Sequence, residues 1–132
     1  HRDMTRFSLT LEDGVKSAIY SLNKMKGGEI IIPKAKSYKI LDLAKAINPK
    51  KKIKIIGIRP GEKIHETLIS QAESLSTYEK KGFFIINSHG KKNNYQKFKK
   101  VNDNFVYSSN LNSYMSVSEL KKMIKDQYNN QF

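Results

Sequence analysis

The chain alternates between stretches with a helical period of apolar residues and short, continuous apolar runs. Three polar-bounded stretches place apolar side chains three or four positions apart and predict amphipathic helices, at residues 10–26, 40–47 and 116–124. The first and third open on capping-box patterns at Thr10 and Ser116, and Pro49 ends the second. A further helical segment is predicted from about Glu62 to Ile69.

The continuous apolar runs predict strands. They are rich in isoleucine or phenylalanine, contain or adjoin glycine, proline or lysine, and lie at residues 29–33, 53–58 and 82–86. Because helices alternate with strands, the pattern indicates an α/β fold. Residues 88–103 contain glycine, asparagines and many lysines, and are predicted to form a mobile loop.

Length and composition argue against membrane-spanning, disulfide-stabilised and metal-binding classes of protein. A chain of 132 residues is long enough to bury a core of its own. No apolar run approaches the roughly 20 residues of a membrane helix and no signal segment is evident, so a soluble, cytoplasmic protein without a membrane span is expected. The absence of cysteine excludes disulfides and thiolate-bound metals, and the three histidines have no metal-binding spacing, so no metal site is expected.

The net charge of +13 comes almost entirely from lysine. Such a charge favours polyanion partners, and Tyr95 and Phe98 lie among lysines as stacking platforms for bases would. A small basic nucleic-acid-binding module is therefore the alternative hypothesis. However, the lysines are spread along the chain and a solvated surface explains them better, so a nucleic-acid partner is not expected.

Arginine is rare, and one of the three arginines stands at a distinctive place. Arg59 follows the apolar run at 53–58 and precedes Pro60 and Gly61, which favour a rigid turn. A guanidinium fork grips phosphate at two points, and the carboxylate of Glu62 is suited to ribose hydroxyls. The pair suits a nucleotide sugar, although an ion pair between Arg59 and Glu62 across the turn explains the spacing equally well.

Two catalytic patterns are incomplete. Tyr20 and Lys24 have the Tyr-x-x-x-Lys spacing of short-chain dehydrogenases, but the chain contains no glycine-rich dinucleotide-binding turn. His65 and Glu66 begin like a zinc-protease helix, but Ile69 stands where the second histidine is required. Neither pattern predicts a catalytic site in this chain.

Four blocks of sequence together resemble one family. They are DMTRFSLTLEDGV at 3–15, GGEIIIPK at 27–34, ILDLAKAI at 40–47 and IIGIRPGEKIHE at 55–66. The chain resembles the bacterial UDP-N-acetylglucosamine 4,6-dehydratases and 4-epimerases. These are extended short-chain dehydrogenases of capsule, O-antigen and flagellin-sugar synthesis. The segment FVYSSN at 105–110 is similar to the same family more loosely.

The resemblance implies a division of the chain and a binding role for three residues. Residues 1–36 resemble the terminal helix and strand of a Rossmann-type domain, and residues 37–132 the small C-terminal substrate domain. It implies that Arg59 contacts the UDP diphosphate, that Glu62 contacts the ribose, and that Arg6 lies near the substrate phosphates. No catalytic residue is expected in this chain.

The resemblance also implies what a longer protein would contribute. In the family, NAD(P) and the catalytic Tyr-x-x-x-Lys belong to an N-terminal part that this sequence does not contain, and the full-length enzyme is a homo-oligomer. This chain alone is therefore expected to bind no cofactor and to be inactive. Without the rest of the Rossmann sheet, apolar side chains at Val15, Ile19 and residues 30–32 are expected to lack partners.

Overall fold

The computed structural model describes residues 1–87 and 94–129 as a mixture of helices and strands. The helices are α1 (Leu11–Lys24), α2 (Ile40–Ile47), α3 (Gln71–Ser74) and α4 (Val117–Asn129). The strands are β1 (Thr5–Phe7), β2 (Glu29–Pro33), β3 (Ser37–Lys39), β4 (Thr67–Ile69), β5 (Thr77–Lys80), β6 (Phe83–Asn87), β7 (Lys99–Lys100) and β8 (Tyr107–Ser108). Asn94–Lys97 form a 3-10 turn. None of the helices among these residues has the length and apolarity that crossing a membrane requires.

These elements belong to two compact units that interleave along the sequence. The first unit contains His1–Ser8, Lys36–Glu66 and Ser109–Phe132, and the second contains Leu9–Ala35 and Thr67–Ser108. The boundaries differ from the predicted division between residues 36 and 37, because α1 and β2 share the second unit with later strands. The assignment of α1 and β2 to a Rossmann-type domain of a longer protein stays a prediction.

The first unit is built on a short antiparallel pair and two helices. β1 pairs with β3, with Arg6 opposite Tyr38, and α2 packs against α4. The α4 helix begins at the predicted capping box, where the Ser116 amide donates to Glu119 Oε2 at 2.8 Å and the Glu119 amide donates to Ser116 Oγ at 3.2 Å. Leu120, one residue further on, is fully buried and forms part of the core of this unit.

The second unit is built on a four-stranded antiparallel sheet in the order β2-β6-β5-β7, with a separate β4-β8 pair. Phe84, Ile85 and Ile86 on the central strand β6 are buried. The α1 helix is attached through Tyr20, whose ring stacks on Phe83 at 4.5 Å between centroids. The strand predicted at 82–86 is therefore confirmed as β6, one of the two inner strands of this sheet.

Three local predictions are wrong. Residues 53–58 form no strand, because no segment within 1–87 or 94–129 pairs with their backbone, and their isoleucine side chains are exposed. The helix predicted from Glu62 to Ile69 is a turn followed by β4, since Ser70 caps α3 and the β-branched residues before it pair with β8. Within the predicted loop, residues 94–97 and 99–100 form regular elements, whereas 88–93 lie outside the described residues.

The α1 helix has an unpartnered apolar face within the described residues. None of its residues is buried, and Val15 and Ile19 are about half exposed, as expected. Ile30 is also 50% exposed, but the same expectation is wrong for Ile32, which is buried opposite the buried Phe84 of β6. The sequence pattern of α1 thus defines an amphipathic helix whose apolar side contributes little to this core.

We expect the backbone amides of α1 to exchange with solvent faster than those of α4. Exchange of a helix is governed by the free energy of local opening, which is small where few side chains are buried. The two helices are of nearly equal length, with 14 and 13 residues, so α4 with its buried Leu120 is the internal reference. Hydrogen exchange read by mass spectrometry tests this, and equal or stronger protection of α1 would contradict it.

Candidate functional site

The Arg59 turn has the geometry that its sequence predicts. The Glu62 amide donates to the Arg59 carbonyl at 3.1 Å, and Gly61 between them has a φ of +77°. Proline at the second position and a left-handed residue at the third define a type II turn, in which a residue with a side chain would be strained at Gly61. The turn therefore holds Arg59 and Glu62 at a fixed separation.

The side chain of Arg59 makes no polar contact within the described residues. It is exposed, and within residues 1–87 and 94–129 its guanidinium has no hydrogen-bond or ion-pair partner. The predicted alternative, an ion pair between Arg59 and Glu62, is absent from these residues. The Glu62 carboxylate instead lies 3.4 Å from Arg6 Nη2, which leaves the Arg59 fork available to a ligand.

Unlike Arg59, Arg6 lies between two carboxylates of the chain. Its Nη2 faces Glu62 Oε1 at 3.4 Å and its Nε faces Glu66 Oε1 at 3.5 Å, with about 20% of its side chain exposed. The two glutamates, four residues apart, flank one cation and do not form a carboxylate pair for acid-base chemistry. Arg6 thus neutralises the segment that follows the Arg59 turn.

Backbone carbonyls take most of the remaining donors of Arg6. Nη1 donates to the Thr5 carbonyl at 2.7 Å and to the Ile64 carbonyl at 3.2 Å, and Nη2 donates to the Lys63 carbonyl at 2.9 Å. A guanidinium has five N–H donors in a planar fork, so one side chain can serve several acceptors at once. The fork of Arg6 is used to fasten the 62–66 segment to β1.

A buried hydroxyl pair supports the same segment. Thr5 Oγ1 lies 2.9 Å from His65 Nδ1 and 2.7 Å from Ser109 Oγ, and the Glu66 amide donates to Ser109 Oγ at 2.9 Å. Thr5 is 3% exposed and Ser109 is fully buried. The imidazole of His65 is thus in contact with the Thr5 hydroxyl. In the described part of the chain, no group of three or more acidic, histidine or cysteine side chains is arranged to hold a metal ion.

Sequence reasoning missed Thr5 and Ser109. Both lie inside blocks that resemble the family, but the two residues are 104 positions apart. A hydroxyl on a short strand carries no local pattern that indicates a partner so distant. Both stand beside polar residues, Arg6 next to Thr5, and Ser108 and Asn110 next to Ser109, so the sequence carries no signal that either hydroxyl is buried.

The described residues offer no cradle for a dinucleotide. Such a site needs a glycine-rich turn that joins a parallel strand to a helix, so that the helix N-terminus faces the pyrophosphate. The strands β1 to β8 pair antiparallel with one another, and the parallel bridge between Ser37 and Tyr114 is isolated and joins no second strand. The Arg59 turn itself presents an exposed guanidinium and an exposed carboxylate three residues apart.

Arg6→Lys is expected to lower the free energy of unfolding by about 1–3 kcal/mol, because an ammonium keeps the charge but loses the planar fork that serves three carbonyls. Urea denaturation measures the change. Arg2→Lys is the matched control, since Arg2 is exposed and has no side-chain partner within the described ranges. If the two variants were equally stable, Arg6 would not fasten this segment.

Comparison with known proteins places these residues in a family. A UDP-N-acetylglucosamine 4,6-dehydratase (inverting) of Campylobacter jejuni is 45% identical over 92% of this chain and 40% of the relative. A UDP-glucose 4-epimerase of Rickettsia akari is 32% identical over 92% of this chain and 38% of the relative. The chain therefore spans about 40% of the length of the curated relatives that it matches.

A solved structure and a family model agree with these relatives. The X-ray structure of Pen from Bacillus thuringiensis has a TM-score of 0.85 and 32% identity, covering 97% of this chain and 40% of that one. The model of the family described as polysaccharide biosynthesis protein matches residues 1–88, which include β1, the Arg59 turn and the glutamates that flank Arg6. The family resemblance read from four sequence blocks is thus confirmed, and the chain belongs to the polysaccharide biosynthesis protein family.

Proposed function

We propose that this chain is the nucleotide-sugar-binding C-terminal portion of a UDP-N-acetylhexosamine 4,6-dehydratase or 4-epimerase of bacterial surface polysaccharide or glycan synthesis. The names of the relatives support the substrate class, since they act on UDP-N-acetylglucosamine or UDP-glucose. The observation that carries the proposal is the Arg59 guanidinium, exposed and without a partner in the described residues, on a fixed turn.

The turn carries one donor fork suited to a diphosphate and one carboxylate suited to ribose hydroxyls. A diphosphate presents adjacent anionic oxygens, to which a guanidinium fork donates two parallel hydrogen bonds. Glu62, three residues further, has 38% of its side chain exposed and accepts hydrogen bonds from ribose hydroxyls in this proposal. In this proposal Arg6 supplies positive potential near the phosphates, and its contact with Glu62 at 3.4 Å orients that carboxylate.

The chemical steps belong to the longer protein. In this proposal α1 and β2 are the last elements of its Rossmann-type domain, and residues outside this chain hold NAD(P) and the catalytic groups. The whole enzyme is proposed to be a cytoplasmic homo-oligomer. This chain contributes substrate binding and no catalytic residue.

Calorimetry with two ligands separates this proposal from the nucleic-acid alternative, which the relatives do not favour. We expect UDP to bind the chain weakly, and a short DNA duplex to show no binding at about 200 mM salt. A nucleic-acid module would instead bind any duplex, with an affinity that falls steeply between about 50 and 200 mM salt. Duplex binding of that kind, without UDP binding, would overturn the proposed function.

A further inference from the structure

A cavity of about 210 Å³ lies in the second unit, among residues that the proposed function does not use. Ile31 on β2 and the buried Ile85 on β6 contribute its apolar lining. Three aromatic side chains complete that lining: Tyr20 from α1, and Tyr95 and Phe98 from the 3-10 turn and the residue after it. The cavity is therefore a partly open space between a helix, a sheet and a turn.

The aromatic walls are held in place before any ligand arrives. Tyr20 stacks on Phe83 with ring planes 7° apart, and the Tyr95 and Phe98 rings lie 6.1 Å apart at their centroids. Because such contacts already order the rings, a ligand that packs against them costs little additional side-chain entropy. The walls thus favour a flat, unsaturated group.

The same cavity is lined by four lysines. The Lys80 amine donates to the Tyr20 hydroxyl at 2.6 Å and stands 5.1 Å and 5.2 Å from the ring centroids of Tyr20 and Phe98. Lys24, Lys26 and Lys97 line the cavity with exposed side chains. Within 1–87 and 94–129 none of the four amines has a carboxylate within 4 Å, so their charge is available to an anion.

One carboxylate lies nearby, and the chain's own donors occupy it. Glu29 accepts hydrogen bonds from the Tyr95 hydroxyl at 2.6 Å and from the amides of Lys26 at 3.1 Å and Gly27 at 2.8 Å. Burial raises the pKa of Glu29, but these hydrogen bonds outweigh it and leave the pKa below its usual value. Burial and the bond to Glu29 raise the pKa of Tyr95 to about 12, so the phenol keeps its proton and its position.

We infer that this cavity binds a small aromatic anion, a single ring that carries a phosphate or carboxylate. The ring packs against the parts of Tyr20 and Phe98 that line the cavity, and the anionic group pairs with Lys80 and the exposed lysines. A cavity of about 150 Å³ accommodates benzene, so the volume here suits one substituted ring. The lysines bind the anionic group of the ligand and the aromatic side chains bind its ring. A ligand with only one of these two groups therefore binds more weakly.

Two sequence patterns without a role in the proposed function meet in this cavity. Tyr20 and Lys24 have the Tyr-x-x-x-Lys spacing of short-chain dehydrogenases, but the Tyr20 hydroxyl accepts a hydrogen bond from Lys80. Tyr95 and Phe98 have the interleaving with lysine that stacking platforms show, and both line the cavity. Aromatic and basic side chains drawn from three separate elements thus converge on one ligand-sized space.

Phenyl phosphate is the probe for this site, with inorganic phosphate and phenol as the two partial ligands. In NMR titrations of the whole chain we expect phenyl phosphate to shift the methyl signals of Ile31 and Ile85. We expect phosphate and phenol to bind at least tenfold more weakly. An absence of shifts at these methyls, or equal affinity for phosphate alone, would overturn the inference.

Substitutions locate the binding. Lys80→Met is expected to weaken phenyl phosphate binding about tenfold, because it removes a charged donor from the wall. Lys81→Met is the matched control, since Lys81 is the next residue, is exposed and does not line the cavity. Lys97→Met removes only an exposed charge, leaves the packing intact and should weaken binding about twofold to fivefold. Equal affinities of the three variants would overturn the assignment.

Discussion

Arg59→Ala is expected to weaken UDP binding to this chain about tenfold to a hundredfold. The substitution removes two charge-assisted hydrogen bonds to the diphosphate, and hydrogen bonds to charged groups contribute about 1.5–3 kcal/mol. Its effect on folding should be small, because the guanidinium has no partner in the described residues and the turn is held by Pro60, Gly61 and a backbone hydrogen bond. Isothermal titration calorimetry of both proteins measures the ratio.

Two further variants separate charge from geometry at this position. Arg59→Lys keeps the cation but loses the fork, so its affinity for UDP should lie between those of the original chain and Arg59→Ala. Arg2→Ala removes an exposed arginine elsewhere in the first unit and should leave the affinity unchanged. Equal affinities of Arg2→Ala and Arg59→Ala would show that Arg59 makes no specific contact with UDP.

Leu120→Ala is expected to lower the free energy of unfolding by about 2–5 kcal/mol. The side chain is fully buried on α4, which packs against α2 in the first unit. Truncation loses its burial and leaves a cavity that the surrounding side chains fill only in part. Since the Arg59 turn belongs to the same unit, UDP binding should be lost together with the folded structure as urea is raised.

The neighbouring residue provides the control for this substitution. Lys121 is exposed on the same helix, and Lys121→Ala should change stability by less than about 0.5 kcal/mol, since alanine also favours helix. Circular dichroism during urea unfolding compares the two variants. A loss of stability in Leu120→Ala no larger than in Lys121→Ala would mean that α4 is not part of the core.

The long helices could be predicted because their signals are local. The apolar period of 40–47 and the proline after it give α2 with its observed ends, and the capping boxes at Thr10 and Ser116 mark the starts of α1 and α4. Each of these signals acts within one or two turns of the chain. No distant partner is needed to decide them.

The strands were harder to predict from the sequence, because a strand forms only where another strand pairs with it. The isoleucines at 53–58 have a strong β pattern but find no partner within 1–87 or 94–129. Strands β1, β3, β7 and β8 contain two or three residues each, too few to form a recognisable period. Their pairings join residues far apart in the sequence.

In the candidate site, too, the local feature could be predicted and the contact between distant residues could not. The type II turn follows from Pro60 and Gly61, which are adjacent in the sequence and restrict the backbone directly. The partner of Glu62 was not predictable, since Arg6 stands 56 positions away and is brought to it by the fold. The pattern of residues therefore predicted the turn, and the family resemblance pointed to Arg6, but neither predicted that Arg6 contacts Glu62.

A UDP titration followed by backbone amide signals tests the central claim most directly. The proposal predicts that UDP shifts the amides of Arg59, Gly61 and Glu62 most strongly, with smaller changes at Arg6. UDP also carries a ring and an anion, so the signals of Ile31 and Ile85 report on any binding in the cavity. Shifts confined to that cavity, or no shift at the Arg59 turn at saturating UDP, would contradict a nucleotide-sugar site at this turn.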